Sequence, residues 1–213
     1  MNELATIRRA YRYVVAYERR ILDAMAAIDD TVQRAGFERS KPHRWAPIYQ
    51  AFPSRDWAPD HWAWDHVPIY ACRFEWLIGD KNTAGNRFVL VDHIADTAYE
   101  RKRIKHRSEP EPLDGLDASE DSRSILRWMV AELGAPLPGQ LWNLGWNDLL
   151  QKQLKAPLEE ILLDRQPQGP VRRIVEPLTM TAWCVELSTL SDPDALSRLF
   201  VAPLRATIND GDS

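Results

Sequence analysis

The sequence predicts an α+β domain with a long N-terminal helix, an antiparallel sheet of at least three strands and a helical second half. Two patterns carry this prediction. Apolar residues near the N-terminus recur in alternating steps of three and four, as on one face of a helix, and three later segments alternate apolar with polar residues, as in half-buried strands. With 213 residues the chain is long enough for one sizeable core, so we expect a single domain over residues 1–213.

The first predicted element is a helix that ends near Gly36. Its apolar residues keep a heptad spacing for about four heptads, interrupted once by Glu18. These apolar residues are Leu4, Ile7, Tyr11, Val14, Ile21, Met25, Ile28 and Val32. A helix of this length runs roughly 45–50 Å, which is longer than a compact domain of this size needs. Its apolar face must therefore be covered either by the rest of the chain or by a second copy, in a homodimer through this helix.

An aromatic segment interrupted by four prolines follows the helix, from residue 37 to residue 66. Because proline disfavours helix at its own position and at the preceding one, we expect an extended or turn-rich strap. Five of the nine tryptophans lie between Trp45 and Trp76, and Trp is enriched at binding hot spots. The candidate partner-binding residues are Trp45, Trp57, Trp62, Trp64 and the helix residue Glu18. The alternative is a Trp-rich core, which we expect for Trp76 because it alternates inward.

Three segments have the pattern of strands. Residues 70–78 and 87–95 both follow a strand pattern, and the residues between them are rich in turn-forming Gly, Asn and Asp. An antiparallel hairpin is the simplest arrangement of these two strands. Residues 178–187 alternate in the same way and predict a third strand.

We expect the second half of the chain to be mostly helical. Asp117 and Glu120 resemble a capping box that opens a helix running to Leu133, and Gly134 is suited to close it. Further helices are predicted over residues 147–154, over residues 157–162 and from Pro193 to Phe200. The stretch 100–118 switches abruptly from basic to acidic residues, which predicts a mobile loop.

Composition and charge argue against several classes of protein. The net charge of −4 does not suit a general nucleic-acid binder, and the basic run Arg101–Arg107 is followed directly by acidic residues that would compete with phosphates for it. We find no uncharged apolar run near the ~20 residues that span a bilayer and no pattern of a secretory signal, so we expect no membrane association. The two cysteines, Cys72 and Cys184, lack metal-type spacing and are compatible with a reducing cytoplasm.

A scattered set of His and Asp residues is the candidate for metal chemistry. Such side chains, if they converge, can hold a metal ion and activate a water molecule. The candidate ligands are His61, Asp65, His66, Asp92, His93 and Asp96. Their spacing matches no metal motif, because the first two histidines are five residues apart instead of four. The alternative is that these side chains cap turns or bond to indole N–H groups.

The sequence contains no Gly-x-Ser-x-Gly nucleophile motif and no glycine-rich phosphate loop, so we assign neither a catalytic residue nor a cofactor. We therefore predict a non-catalytic cytoplasmic binding protein that occludes a protein partner. An inhibitor or an immunity-type protein of a bacterial conflict system would be one form of it. The negative net charge suits a basic partner. Two alternatives stay open: a metal-assisted hydrolase that uses the His/Asp set, and a nucleic-acid accessory factor that uses residues 101–107.

Overall fold

The computed structural model describes eight stretches of the chain. The described residues are 3–39, 46–47, 71–78, 84–97, 122–135, 169–176, 178–190 and 192–210. They contain a long N-terminal helix, an antiparallel sheet and a C-terminal helical segment, which confirms the α+β class. None of the described helices combines the length and the apolar composition needed to cross a bilayer.

The sheet is antiparallel throughout, and its strands follow the order β1-β3-β4-β5-β7-β6, with β2 also paired to β3. The strands are β1 (Glu38–Arg39), β2 (Ala46–Pro47), β3 (Ala71–Ile78), β4 (Arg87–Ile94), β5 (Ile125–Leu133), β6 (Val171–Val175) and β7 (Leu178–Glu186). The three predicted strands are confirmed as β3, β4 and β7 to within one residue at each end. The predicted hairpin is confirmed as the pair β3–β4.

The first helix, α1 (Glu3–Arg34), ends where the sequence predicts. Gly36 adopts a φ of +86°, and its N–H donates to the carbonyl of Gln33 at 2.9 Å. The N–H of Phe37 reaches back to the carbonyl of Val32 at 3.3 Å, which completes a Schellman motif. Phe37 and Val32 are both buried, so the cap also contributes an apolar contact to the core.

Residues 125–133 form the strand β5, so the prediction of a helix through Leu133 is wrong. β5 lies between β4 and β7, and eight of its nine residues are buried. A strand that is covered on both faces shows no apolar–polar alternation, and its periodicity does not distinguish it from a buried helix. Three further predictions lie outside the described residues: the helices over 147–154 and 157–162 and the loop over 100–118.

The C-terminal helical segment begins at Pro193, as predicted. Asp192 accepts the N–H of Ala195 at 2.7 Å, and Pro193 occupies the first turn, where its missing N–H costs nothing. The segment consists of α2 (Pro193–Leu196), a π-helical turn (Ser197–Val201) and α3 (Ala202–Asp210). The π-helical turn comes just before Pro203, which has no N–H to continue the regular helical pattern.

The helices pack on one face of the sheet. This face carries Trp128 and Val130, and it shares a cluster of buried apolar side chains with α1 and with the C-terminal helices. The opposite face carries Leu90 and Met180, which are also buried. The central strands are therefore apolar on both sides, which explains the continuous burial of β4 and β5.

The two halves of α1 differ in burial. The core side chains of its C-terminal half are at most 4% exposed, and they are Ile21, Met25, Ile28 and Val32. In the N-terminal half, Leu4 is 61% exposed and Ile7 is 50% exposed. The predicted apolar face is therefore covered by the protein's own core from Ile21 onward and is exposed at these two positions before it.

Candidate functional site

A cleft of about 840 Å³ lies between α1, residues 122–124, the end of β7 and the C-terminal helical segment. Its volume is in the range of sites that take a small molecule, and a short segment of another protein has a similar size. The residues around it come from distant parts of the sequence, and the fold brings them together. This cleft is the candidate functional site.

On the α1 side of the cleft, the central residues Ala24 and Ala27 are small, so the helix surface there projects little into the cleft. Tyr17, Ala24, Ala27 and Thr31 follow the i, i+3 and i+4 spacing of one helix side. Neither alanine has a side chain beyond Cβ, so a ligand could approach the helix backbone closely. Ile21 contributes to the cleft as well as to the core.

The opposite wall is apolar. It is built mainly from Leu187, Leu190, Leu196 and Val201. The first two lie in or just after a 3-10 turn, Leu187–Thr189, that follows β7 directly. The Leu187 N–H donates to the carbonyl of Ser124 at 2.8 Å, and the Leu190 N–H closes the turn on the Leu187 carbonyl at 3.0 Å. Backbone hydrogen bonds therefore fix the position of this wall.

Residues 122–124 are held by the segment that follows β4. Arg123 and Thr97 exchange two hydrogen bonds: the Thr97 N–H donates to the Arg123 carbonyl at 3.0 Å, and the Arg123 N–H donates to Oγ1 of Thr97 at 2.9 Å. The Ser122 hydroxyl donates to Oδ1 of Asp96 at 2.6 Å. These bonds fix the third side of the cleft, so a ligand would meet a preformed site.

Both signs of charge surround the cleft. The basic residues are Arg20, Arg123 and Arg205, and the acidic residues are Asp23, Asp30, Glu186 and Asp192. Asp30 forms an ion pair with Arg34 at 2.9 Å one turn further along α1, and Asp192 caps α2. A mixed rim of this kind suits a ligand that carries both charges better than it suits a polyanion such as nucleic acid.

A tyrosine–histidine pair lies at the inner end of the cleft. The Tyr17 hydroxyl is 2.7 Å from Nε2 of His93, and it donates to that nitrogen when the imidazole proton is on Nδ1. Burial lowers the pKa of His93 to about 4, so the imidazole is neutral at pH 7. Because His93 is fully buried, a ligand in the cleft would meet Tyr17 and not the imidazole.

The predicted partner-binding residues lie largely outside the described part of the chain. Trp45, Trp57, Trp62 and Trp64 are all outside the described residues. Glu18 lies on α1, and its side chain is likewise outside the description. Trp76 is buried at 3% exposure, as its inward alternation on β3 predicts.

The predicted metal ligands that are described do not form a cluster. Asp92 and His93 are neighbours on β4, so their side chains point to opposite faces of the sheet. Asp92 forms a buried ion pair with Arg127, whose Nε is 3.0 Å from its Oδ2, while Asp96 accepts from Ser122. Among the described residues no group of three His, Cys, Asp or Glu side chains could hold a metal ion. The remaining candidates, His61, Asp65 and His66, lie outside the described residues.

A polar anchor that the sequence patterns did not reveal joins α1 to two strands. Asp29 accepts the indole N–H of Trp76 at 2.8 Å and the Nε–H of Arg39 at 2.7 Å. These donors, with the Arg39 hydrogen bond first, lower the pKa of Asp29 to about 2. Two features of the sequence point to this anchor. One is an acidic residue beside the apolar side of a helix, and the other is an inward Trp whose indole N–H needs an acceptor.

Comparison with known proteins places the chain in a family. A family model described as PM0109 matches residues 1–201. The chain belongs to the PM0109 family. The PM0109 match includes α1, the sheet and every residue named above on the cleft except Arg205. No curated protein and no solved structure matches this member of the PM0109 family.

Proposed function

We propose that this protein is a non-catalytic binding protein that occludes a protein partner, and that a segment of the partner lies in the cleft beside α1. The observation that carries the proposal is the cleft itself, which has an apolar centre and a charged rim on a fixed frame. Protein–protein interfaces have this anatomy, with a buried apolar core and a polar rim. A partner segment that enters the cleft is covered on several sides, which is how binding would occlude it.

The preformed walls favour binding because little has to be ordered when the partner arrives. The 3-10 turn after β7 and residues 122–124 are already held by backbone hydrogen bonds. Association then costs mainly the freedom of the partner segment. The two low positions on α1, Ala24 and Ala27, leave room for side chains of the partner.

Three of the titratable groups at or beneath the cleft are already engaged, which favours binding over catalysis. Acid–base catalysis needs a group that reaches the ligand and titrates near the working pH. His93 has a pKa of about 4 and is sealed beneath Tyr17, while Asp192 and Asp30 serve a helix cap and an ion pair. An inhibitor or immunity-type role in a bacterial cytoplasm is the concrete form we propose. The buried thiol of Cys184 is compatible with that reducing compartment.

The proposal is tested by filling the cleft without disturbing the core. Ala27 is exposed and lines the cleft, so Ala27→Arg would place a long side chain in it. Ala26 is also exposed on α1 but does not line the cleft, so Ala26→Arg is the matched control. Each variant serves as bait in a nuclease-treated lysate of the native host, and mass spectrometry quantifies the proteins bound to it.

We expect one stoichiometric protein partner that binds the parent and Ala26→Arg but is lost from Ala27→Arg. Equal binding by all three proteins would contradict the assignment to the cleft. A parent that retains no protein but carries a stoichiometric metal ion would contradict the binding function and favour a metal-assisted hydrolase. Binding of nucleic acid by the purified parent in a mobility-shift assay, lost at high salt, would favour the accessory-factor alternative instead.

A further inference from the structure

We propose that α1 also pairs with α1 of a second copy of this chain, antiparallel, through an apolar stripe on its N-terminal half. The α1 stripe is defined by Leu4, Ile7, Tyr11, Val15, Glu18 and Leu22. It is separate from the cleft, which α1 lines with Tyr17, Ala24 and Ala27. The proposal is therefore independent of the function assigned to the cleft.

The geometry of α1 places the stripe on one side of the helix. Leu4 and Leu22 are eighteen residues apart, which is five turns of about 3.6 residues, so they lie directly in line. Leu4, Ile7, Val15 and Leu22 are 61%, 50%, 67% and 48% exposed. The positions of Tyr11 and Glu18 fall between them. A line of large apolar side chains on the surface is typical of a protein–protein contact.

The stripe diverges from the core face of the same helix. Both lines share Leu4, Ile7 and Tyr11, and then the core face continues through Ile21 with a heptad step while the stripe continues through Val15. A heptad step drifts around a straight helix by about 20° in each repeat, whereas the spacing of the stripe does not drift. One row of apolar residues on α1 therefore packs in the core, and the second row, the α1 stripe, stays exposed.

A second copy fits this stripe because the stripe is nearly symmetric about residue 13. In an antiparallel pair centred there, Leu4 lies level with Leu22 of the second copy, and Tyr11 lies level with Val15. Apolar positions then meet apolar positions at the two ends and at the centre of the stripe, while Ile7 lies level with Arg19 of the second copy. A two-fold contact uses the same surface on both copies and closes, so it yields a dimer and not a filament.

Charge selects the antiparallel direction. The same register brings Glu18 level with Arg8 of the second copy, twice by symmetry. A parallel pair would instead bring Glu18 beside Glu18 and Arg8 beside Arg8. Polar residues in a helical interface set direction and register in this way. Arg9 and Arg20 lie on the opposite side of the helix by their spacing from the stripe, so they do not oppose the pairing directly.

The anchored half of α1 prepares the exposed half for pairing. From Ile21 onward the helix is fixed by the core, so the N-terminal half extends from a rigid base. Less conformational entropy is then lost on association than for a free peptide. The antiparallel arrangement also places the two cores at opposite ends of the pair.

The first experiment measures the molar mass of the full chain by light scattering during gel filtration at micromolar concentration. We expect a dimer for the parent and a monomer for Val15→Asp, which puts two carboxylates at the centre of the contact. Tyr13→Asp is the matched control: Tyr13 is 68% exposed, two residues away, and lies off the stripe. It should remain a dimer. A monomeric parent, or a Val15→Asp variant that stays dimeric, would overturn the proposal.

The second experiment tests direction with a charge exchange. Glu18→Arg and Arg8→Glu should each weaken the dimer about ten-fold, because each places like charges together at two symmetric sites. The variant with both substitutions should regain the parent's dissociation constant, and so should a mixture of the two single variants. Failure of both rescues would overturn the antiparallel pairing. Binding of a monomeric parent to anionic vesicles through the stripe would overturn the second copy as its occupant.

Discussion

The two halves of α1 have similar sequence patterns and different surroundings. Both carry apolar residues at helical spacing among charged ones, but only the C-terminal half is held by the core, by the Asp29 anchor and by the cap at Gly36. The N-terminal half leaves Leu4 and Val15 more than half exposed. Helical periodicity in the sequence therefore shows that an apolar face of the helix has to be buried. It does not show which part of this chain, or of another chain, buries it.

The largest expected difference between the halves is in core packing. Ile28→Ala should lower the free energy of unfolding by about 2–5 kcal/mol, because it removes three carbon atoms from a fully buried site. Ile7→Ala, made in the monomeric Val15→Asp background, should change it by less than about 0.5 kcal/mol. Urea denaturation measures both. Similar losses for the two variants would contradict the division of α1 into an anchored and an exposed half.

Acid should weaken the junction between the halves, where Tyr17 contacts His93. The pKa of His93 is about 4 in the fold, below the unfolded value of 6.5, so the unfolded chain binds more protons between these values. The free energy of unfolding should therefore fall by about 2–3 kcal/mol as the pH drops from 6.5 to 4. In His93→Gln, the free energy of unfolding should depend less on pH between 6.5 and 4, as measured by urea titrations at a series of pH values. An unchanged slope in His93→Gln would show that other groups cause the loss.

The Asp29 anchor should add stability in a lower pH window. Its folded pKa of about 2 lies below the ordinary value of 3.8, so its contribution is present above pH 3.8 and is lost as the pH falls toward 2. Asp29→Asn should cost about 1–2 kcal/mol at pH 7, since the amide oxygen still accepts a hydrogen bond but carries no charge. Asp30→Asn is the control, because Asp30 is exposed and pairs with Arg34 along the helix surface. Equal losses in the two variants would contradict the anchor.

The smallest of these effects should come from the cap of the anchored half. Gly36→Ala should cost about 1 kcal/mol, because a φ of +86° is unfavourable for a residue with a Cβ. The new Cβ would be 3.4 Å from Cδ1 of Ile78, close to ordinary contact. Gly85→Ala is the matched control, with a φ of +85° and open space around it. A clearly larger loss at Gly36 would mean that Ile78 has to move as well.

Elements with one covered face could be predicted from the sequence. α1, β3 and β7 each alternate or repeat because one side meets the core and the other does not. β5 could not be predicted, because burial on both faces removes the alternation that marks a strand and because, unlike the equally buried β4, it is not joined to a predicted strand by a short turn. Its position also explains Asp92, a predicted ligand that faces Arg127 across the β4–β5 pair. Because β5 was not predicted, the sequence did not indicate Arg127 as the partner of Asp92.

The cleft could not be predicted for a different reason. On the α1 side the cleft depends on Ala24 and Ala27, whose side chains give no sequence signal of a binding site. Its other sides come from residues 122–124 and 186–205. Local patterns in a sequence do not report which distant segments meet. The α1 stripe, by contrast, follows from the spacing of apolar residues along a single helix. Only the exposure of its side chains had to come from the structure.

Hydrogen exchange along α1, measured by mass spectrometry, is the most direct test of the division between its halves. In the monomeric Val15→Asp variant, amides of residues 21–34 should exchange only through global unfolding, while amides of residues 4–15 should exchange much faster through local opening. In the dimeric parent, residues 4–15 should gain protection against this local opening. Equal protection of the two halves in Val15→Asp, or identical patterns in variant and parent, would contradict an anchored half that presents an exposed half for pairing.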